Sequence, residues 1–184
     1  MPLTYYATTD PQNEMPNSVG QSFSFGLAAQ AANMASGNAA LLPTNGVLHL
    51  LPFYVQTRSV AQQLWWINGA LPLTGAVRMG IYDDTYTLLV SGSASVSGSN
   101  QTQTIDITDT TLQRGTYYLA WLLSSSLGTN KHAALSTNPA SWPRIFGCVQ
   151  LTGQTSLPST FTRAGNGYAQ TVMPLCGVAY RSFI

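Results

Sequence analysis

Two histidines and two cysteines, with six carboxylates, are the side chains this 184-residue sequence offers for acid–base or nucleophilic chemistry. A cysteine nucleophile needs an imidazole base beside it, which here means Cys148 with His49 or His132. No local signature around Cys148 or Cys176 supports such a pairing. His49 sits inside the apolar run VLHLLPFYV, the setting of a hydrogen-bonded core or edge histidine. His132 falls in GTNKHAA beside Lys131, a solvated loop. Neither cysteine has a second ligand type two to four residues away, so zinc is not expected. Cys148 and Cys176 could pair, but two cysteines in a chain of this length make no disulfide framework. The default is two reduced, partly buried thiols acting as small hydrophobes.

Four of the six carboxylates form two groups, Asp83-Asp84 and Asp106/Asp109. Either could act as an acid and base on a glycan, or bind calcium. Calcium takes about 6 to 8 oxygens, usually with several acidic ligands on one loop, and neither group supplies that many. Adjacent aspartates after a strand act as turn formers, because their side chains cap nearby backbone groups. Asp106 should point outward from a strand, and Asp109 should begin the next turn. The residues call for no metal and no cofactor.

Aromatic rings are the remaining candidates. Trp65 and Trp66 are adjacent, so in a strand they face opposite sides, one into the core and one toward an interface or ligand. Trp121 reads as core. Trp142, in the loop SWP, is the candidate for an exposed contact, including stacking on a sugar.

These residues must be positioned by strands. Val47 to Val55 is apolar, with Pro52 requiring an edge or a bend. Gln62 to Asn68 carries the tryptophan pair. In Ala76 to Tyr82, Val77, Met79 and Ile81 share one face. Tyr86 to Val90 follows, then SGSASVSGSN reads as a polar connection. Thr104 to Thr108 and Thr116 to Leu123 come next, the latter with Tyr117, Leu119, Trp121 and Leu123 on one face. Its YYLAWLL core is apolar on both faces, which suits the middle of a packed structure. Further strands are expected at Arg144 to Leu151, Phe161 to Thr162 and Met173 to Arg181. Short strands with turn signals every 8 to 12 residues predict an all-β fold. A jelly-roll-like antiparallel β-sandwich over residues 46–184 accounts for the irregular connections.

Residues 1–45 differ. They hold four prolines (Pro2, Pro11, Pro16 and Pro43), a candidate strand at Gln21 to Phe25, and an Ala-rich piece, Leu27 to Ala40, able to form a short helix. They read as an extended N-terminal arm whose anchors onto a neighbour would be Tyr5, Tyr6, Phe23, Phe25 and Met34. The opening MPLTYYATTDPQNEMP has neither a basic nor an apolar signal region, so it is not expected to be a secretory signal. No apolar run approaches the roughly 18 residues of a membrane span.

Charge is the most unusual property. Charged residues are 7% of the chain, against roughly 25% in an average soluble domain. A net charge of +1 with Lys131 as the single lysine argues against a nucleic-acid partner. Interfaces between permanent partners are depleted in Lys, Glu and Asp and enriched in aromatics. The surface therefore reads as one covered by copies of itself or by neighbours.

The central stretch VLHLLPFYV, LWWING, GAVRMGIYDD, YTLLVSGSASVSG and TQTIDITDTTLQRGTYYLAWLLS resembles a module recurrent in tailed-bacteriophage virion proteins. Residues 47 to 124 carry the likeness, through Pro52-Phe53, Val77 to Asp83, and Leu112 through Trp121. The resemblance implies a β-sandwich on the surface of a phage particle, made in the host cytoplasm and incorporated into the virion. It supplies no catalytic residues. The leading expectation is a non-enzymatic capsid decoration or cement protein, a homotrimer bound to the major capsid protein or another virion protein. A tail-fibre or receptor-binding module recognising host glycan is the alternative, and a cell-wall glycan hydrolase is third.

Overall fold

The computed structural model describes residues 46–68, 75–98, 101–124, 134–136, 147–163, 172–174 and 176–182. The arm anchors Tyr5, Tyr6, Phe23, Phe25 and Met34, together with Trp142 and His132, lie outside the described residues.

Among the described residues ten strands run in chain order as β1 Leu48–Val55, β2 Ser59–Ile67, β3 Ala76–Tyr82, β4 Leu88–Ser95 and β5 Thr102–Leu112, then β6 Gly115–Ser124, β7 Ala134–Ser136, β8 Val149–Leu151, β9 Val172–Pro174 and β10 Cys176–Ser182. One sheet has the order β4-β3-β6-β1-β8 and the other β10-β2-β5, with β7 and β9 a separate short pair. All the strand pairings are antiparallel. From β1 to β6 every connection crosses between the sheets except the β3–β4 hairpin. This is the expected jelly-roll-like sandwich, with sheets of unequal size.

Strand alternation separates two apolar layers. Leu51, Phe53 and Val55 of β1, Val77, Met79 and Ile81 of β3, and Leu119, Trp121 and Leu123 of β6 face inward. There they meet Leu64 and Trp66 of β2, Ile105 of β5 and Val178 of β10, and form the core between the sheets. The alternate residues, Leu48, Leu50, Tyr82, Tyr118, Ala120 and Leu122, form a second buried cluster on the outer face. Both faces of β6 are therefore apolar because both are covered. Antiparallel sheets more often leave one face in water.

Residues 157–163 help cover that outer face. The Tyr82 hydroxyl donates to the Pro158 carbonyl at 2.6 Å, and backbone bonds join Leu88 N to Ser159 O and Phe161 N to Tyr86 O. Phe161 packs among Tyr82, Tyr86 and Tyr118, with ring centroids 4.7–5.8 Å away. Gly80 makes room for this strap. A Cβ there would lie 2.9 Å from Leu157, Leu88 and the Val90 carbonyl.

Several boundaries differ from expectation. The first half of SGSASVSGSN is not a connection, since β4 runs through Ser95 and pairs with β3 as far as Ala76. Small residues suit it because β4 lies directly over β5, and a Cβ on Gly92 would collide with Ile105. Tyr86 is not in a strand but in the turn, at a φ of 67°. Phe161 and Thr162 are not strand; the neighbouring Thr160 makes an isolated bridge with Thr87. Met173 to Arg181 divides into β9 and β10, which belong to different sheets. Asp109 lies within β5 and begins no turn. Of Arg144 to Leu151, β8 takes Val149–Leu151, and residues 144–146 lie outside the described residues. Pro52 meets its expectation. β8 pairs only with Leu48 to Leu50, so at Pro52 β1 is an edge on that side while its ladder with β6 continues.

Candidate functional site

His49 faces the core between the sheets and is fully buried. Its ring meets that of Trp121 edge-on, with centroids 5.8 Å apart. Burial pushes the imidazole pKa down to about 3, because the cation would lose its hydration. The ring is neutral at physiological pH and has no access to a substrate in water. The core reading of His49 holds.

Cys148 and Cys176 are both free and both buried. Burial pushes the Cys148 thiol up to about 12, and it raises that of Cys176 as well. Thiols held protonated are poor nucleophiles and poor metal ligands. The Cys176 Sγ is 3.8 Å from the Pro174 carbonyl, a weak donor contact inside the fold.

Asp83 forms the turn that follows β3. Its Oδ1 accepts from Thr85 N at 2.9 Å, Thr85 Oγ1 at 2.7 Å and Thr87 N at 2.9 Å. Slight desolvation opposes the charged form, but the hydrogen bonds from Thr87 and Thr85 outweigh it and hold the carboxyl below its ordinary range. This is the turn-forming role expected of the pair, taken by Asp83, whose Oδ1 is engaged by its own loop.

Asp106 and Asp109 project from β5 toward the side-chain amides of β2. Gln63 Nε2 donates to Asp106 Oδ1 at 2.6 Å, and Gln62 Nε2 donates to the Asp109 carboxylate at 3.2 Å. The two carboxylates are thus each bound to a neutral partner across the sheet. Among the described residues no group of three or more His, Cys, Asp or Glu is placed to hold a metal ion.

The tryptophan pair divides as the alternation requires. Trp66 is buried in the core and Trp65 is half-buried at its rim. The indole N–H of Trp66 donates to Asn68 Oδ1 at 2.8 Å. Asn68 in turn donates to the Ser97 carbonyl at 2.8 Å and to Gln103 Oε1 at 2.6 Å, and Gln103 Nε2 reaches Ser97 Oγ at 2.7 Å. This knot joins the end of β2 to the ends of β4 and β5. Sequence reasoning missed it, although a polar residue directly after an apolar tryptophan strand was a usable signal.

A second overlooked group is exposed. Tyr54, on the outer face at the end of β1, is 44% exposed, and Arg114 Nε donates to its hydroxyl at 3.0 Å. No protein family, curated protein or solved structure matches this chain.

Proposed function

We propose that the chain is a non-enzymatic structural protein of a bacteriophage particle, a capsid decoration or cement component that works through subunit contacts. One observation carries the reading: among the described residues the histidine and both thiols are withdrawn into the fold, while the exposed strand positions are mostly uncharged. His49 and both cysteines are buried, and Asp83, Asp106 and Asp109 are bound to neighbours. The exposed positions of β4 and β5 are mainly Ser and Thr. Solitary proteins blunt sheet edges with charge, lysine above all. The quoted phage-like motifs add support: Pro52-Phe53 lies on β1, Val77 to Asp83 on β3 and the turn after it, and Leu112 through Trp121 on the end of β5 and on β6, so most of them fall on the adjacent strands β3, β6 and β1.

The test is mass spectrometry and antibody labelling of purified particles from cells that express the chain. Stoichiometric incorporation on the outer surface supports the reading. Absence from particles, or glycan hydrolysis by the purified protein, rejects it.

The Tyr54–Arg114 pair favours a second reading, recognition of host glycan by a tail-fibre or receptor-binding module. An exposed ring packs on the C–H face of a sugar, and a guanidinium held beside it can bond hydroxyl or carboxylate oxygens. Glycan-array binding that is lost in Tyr54→Ala would favour this reading over the first.

A further inference from the structure

Arg78 leaves β3 on the outer face of the larger sheet, since Val77 and Met79 on either side of it face the core. It is half-buried, and its Nε is buried with no hydrogen-bond partner, so it presents the Nη end of its fork outward. Arg58, Arg114 and Arg163 each engage a neighbour. Among the arginines with described side chains, Arg78 alone stands unpaired. Its surroundings supply no charge. Ser93 lies directly across on β4, with Ser91 and Ser95 exposed beside it, and Leu122 lies across on β6. Asp83 and Asp84 follow the far end of β3, roughly 16 Å along at ~3.3 Å per residue. Asp106 and Asp109 belong to the other sheet and are held by Gln63 and Gln62. A half-buried guanidinium is poorly screened, and a carboxylate meeting its fork gains two charge-assisted hydrogen bonds.

The two carboxylates not yet placed, Asp10 and Glu14, both fall in residues 1–45, which hold no basic side chain. All seven basic residues lie beyond that segment, so arm and sandwich are complementary in charge. The arm joins the sandwich at Gly46, whose N–H bonds Leu123 O, and Leu123 pairs with Val77 beside Arg78. It therefore leaves the sheet at the end where Arg78 sits. Between Glu14 and Gly46 a flexible chain spans roughly 30 Å, enough to cross to an adjacent copy. We propose that the arm of a neighbouring copy docks on this face, its acidic stretch Asp10 to Glu14 held at Arg78. The exposed hydroxyls of Ser91, Ser93 and Ser95 suit the amides of Gln12 and Asn13 within that stretch. Asp84, exposed in its turn, is the competing source of a carboxylate, and the experiment separates the two.

This contact rests on the assembly reading above and deepens it by giving the arm a seat. The experiment is sedimentation of full-length charge variants. Arg78→Glu should weaken self-association by about tenfold or more. Asp10→Lys combined with Glu14→Lys, which leaves the sandwich untouched, should do the same. A one-to-one mixture of the two variants should restore association, because each arm then meets a face of opposite charge. A wild-type chain that is monomeric at every concentration, an arm variant that associates normally, or a mixture that restores nothing overturns the contact. In Arg78→Lys, a carbodiimide should join the introduced amine to Asp10 or Glu14 of a differently isotope-labelled copy. Linking to Asp84, to the arm of the same copy alone, or to no carboxylate overturns it, and this stays decisive if Arg78→Glu misfolds. Particle incorporation that persists without the contact would reject this proposal and leave the structural role standing. Absence from particles with the contact intact would reject the structural role alone.

Discussion

Trp66 and Asn68, two residues apart, are joined by an indole-to-amide hydrogen bond of 2.8 Å that closes one end of the inter-sheet core. Trp66 is 1% exposed, so its N–H has no water to turn to. Asn68 also bonds Ser97 and Gln103, so one side chain satisfies groups from three segments. Replacing Asn68 by Ala should cost about 2–4 kcal/mol, since an orphaned buried polar group costs roughly 1–3 kcal/mol and more than one is left. Urea denaturation measures it. A loss under about 1 kcal/mol would mean that water enters and replaces the amide.

Trp121 is fully buried at the centre of β6, against His49. Trp121→Ala should destabilise by about 3–5 kcal/mol. Trp65→Ala, at the half-buried rim, should cost clearly less. Equal losses in calorimetry would contradict the face assignment of the pair.

Gly92→Ala tests the approach of β4 to β5. Its added methyl has nowhere to go against Ile105, and the expected loss is about 1–3 kcal/mol. The double variant with Ile105→Ala should cost less than the two single losses added together, because the truncation opens the space the methyl needs. Strict additivity would show that the strands part without strain.

Acid should destabilise the fold through His49. Its pKa falls from 6.5 to about 3 on folding, so between those values the unfolded chain binds a proton that the folded chain refuses. Stability from this group is complete above pH 6.5 and declines as the pH falls toward 3, by up to ~1.4 kcal/mol per pH unit. Asp83, with a lowered carboxyl pKa, adds its own loss of the same sign at more acidic pH. His49→Gln should flatten the decline between pH 6 and 4.5 in chemical denaturation. An unchanged slope there would assign it to other groups.

Removing residues 1–40 should leave a folded sandwich, because the described strands of both sheets begin at Leu48. Incorporation into the particle should fail, as the anchors Tyr5, Tyr6, Phe23, Phe25 and Met34 go with the deletion. Unfolding of the truncated protein, or normal incorporation, would each reject the arm as a clamp.

Where one period dominated, the sequence was legible. Ala76 to Tyr82 alternates cleanly and is β3 from end to end. The two-faced apolarity of YYLAWLL pointed correctly to a strand covered on both sides. Legibility failed where tertiary contact overrode local preference. Ser, Gly and Ala in β4 resemble a linker, yet Gly92 and Ala94 face inward, and a Cβ on Gly92 would meet Ile105 of β5. Asp109 looked like a turn former, but a register shift opposite Gln62 keeps it in the strand. For the candidate site, burial of His49 was legible from its apolar neighbours. The partners of Asp106 and Asp109 were not, because Gln62 and Gln63 lie more than forty positions away. Non-local pairs of this kind leave no periodic trace.

The pairing of β1 with β6 also sets a timetable for synthesis. Leu48 meets Leu122 and Val55 meets Gly115, so among the described residues β1 has no sheet partner until β6 has been made. At ~5–20 residues per second, that interval is roughly 3 to 15 s. Throughout it, LHLLPFYV waits as an unpaired apolar segment at the ribosome. Such a nascent chain is a client for a holding chaperone, and its yield should depend more on translation speed than on the stability of the finished fold.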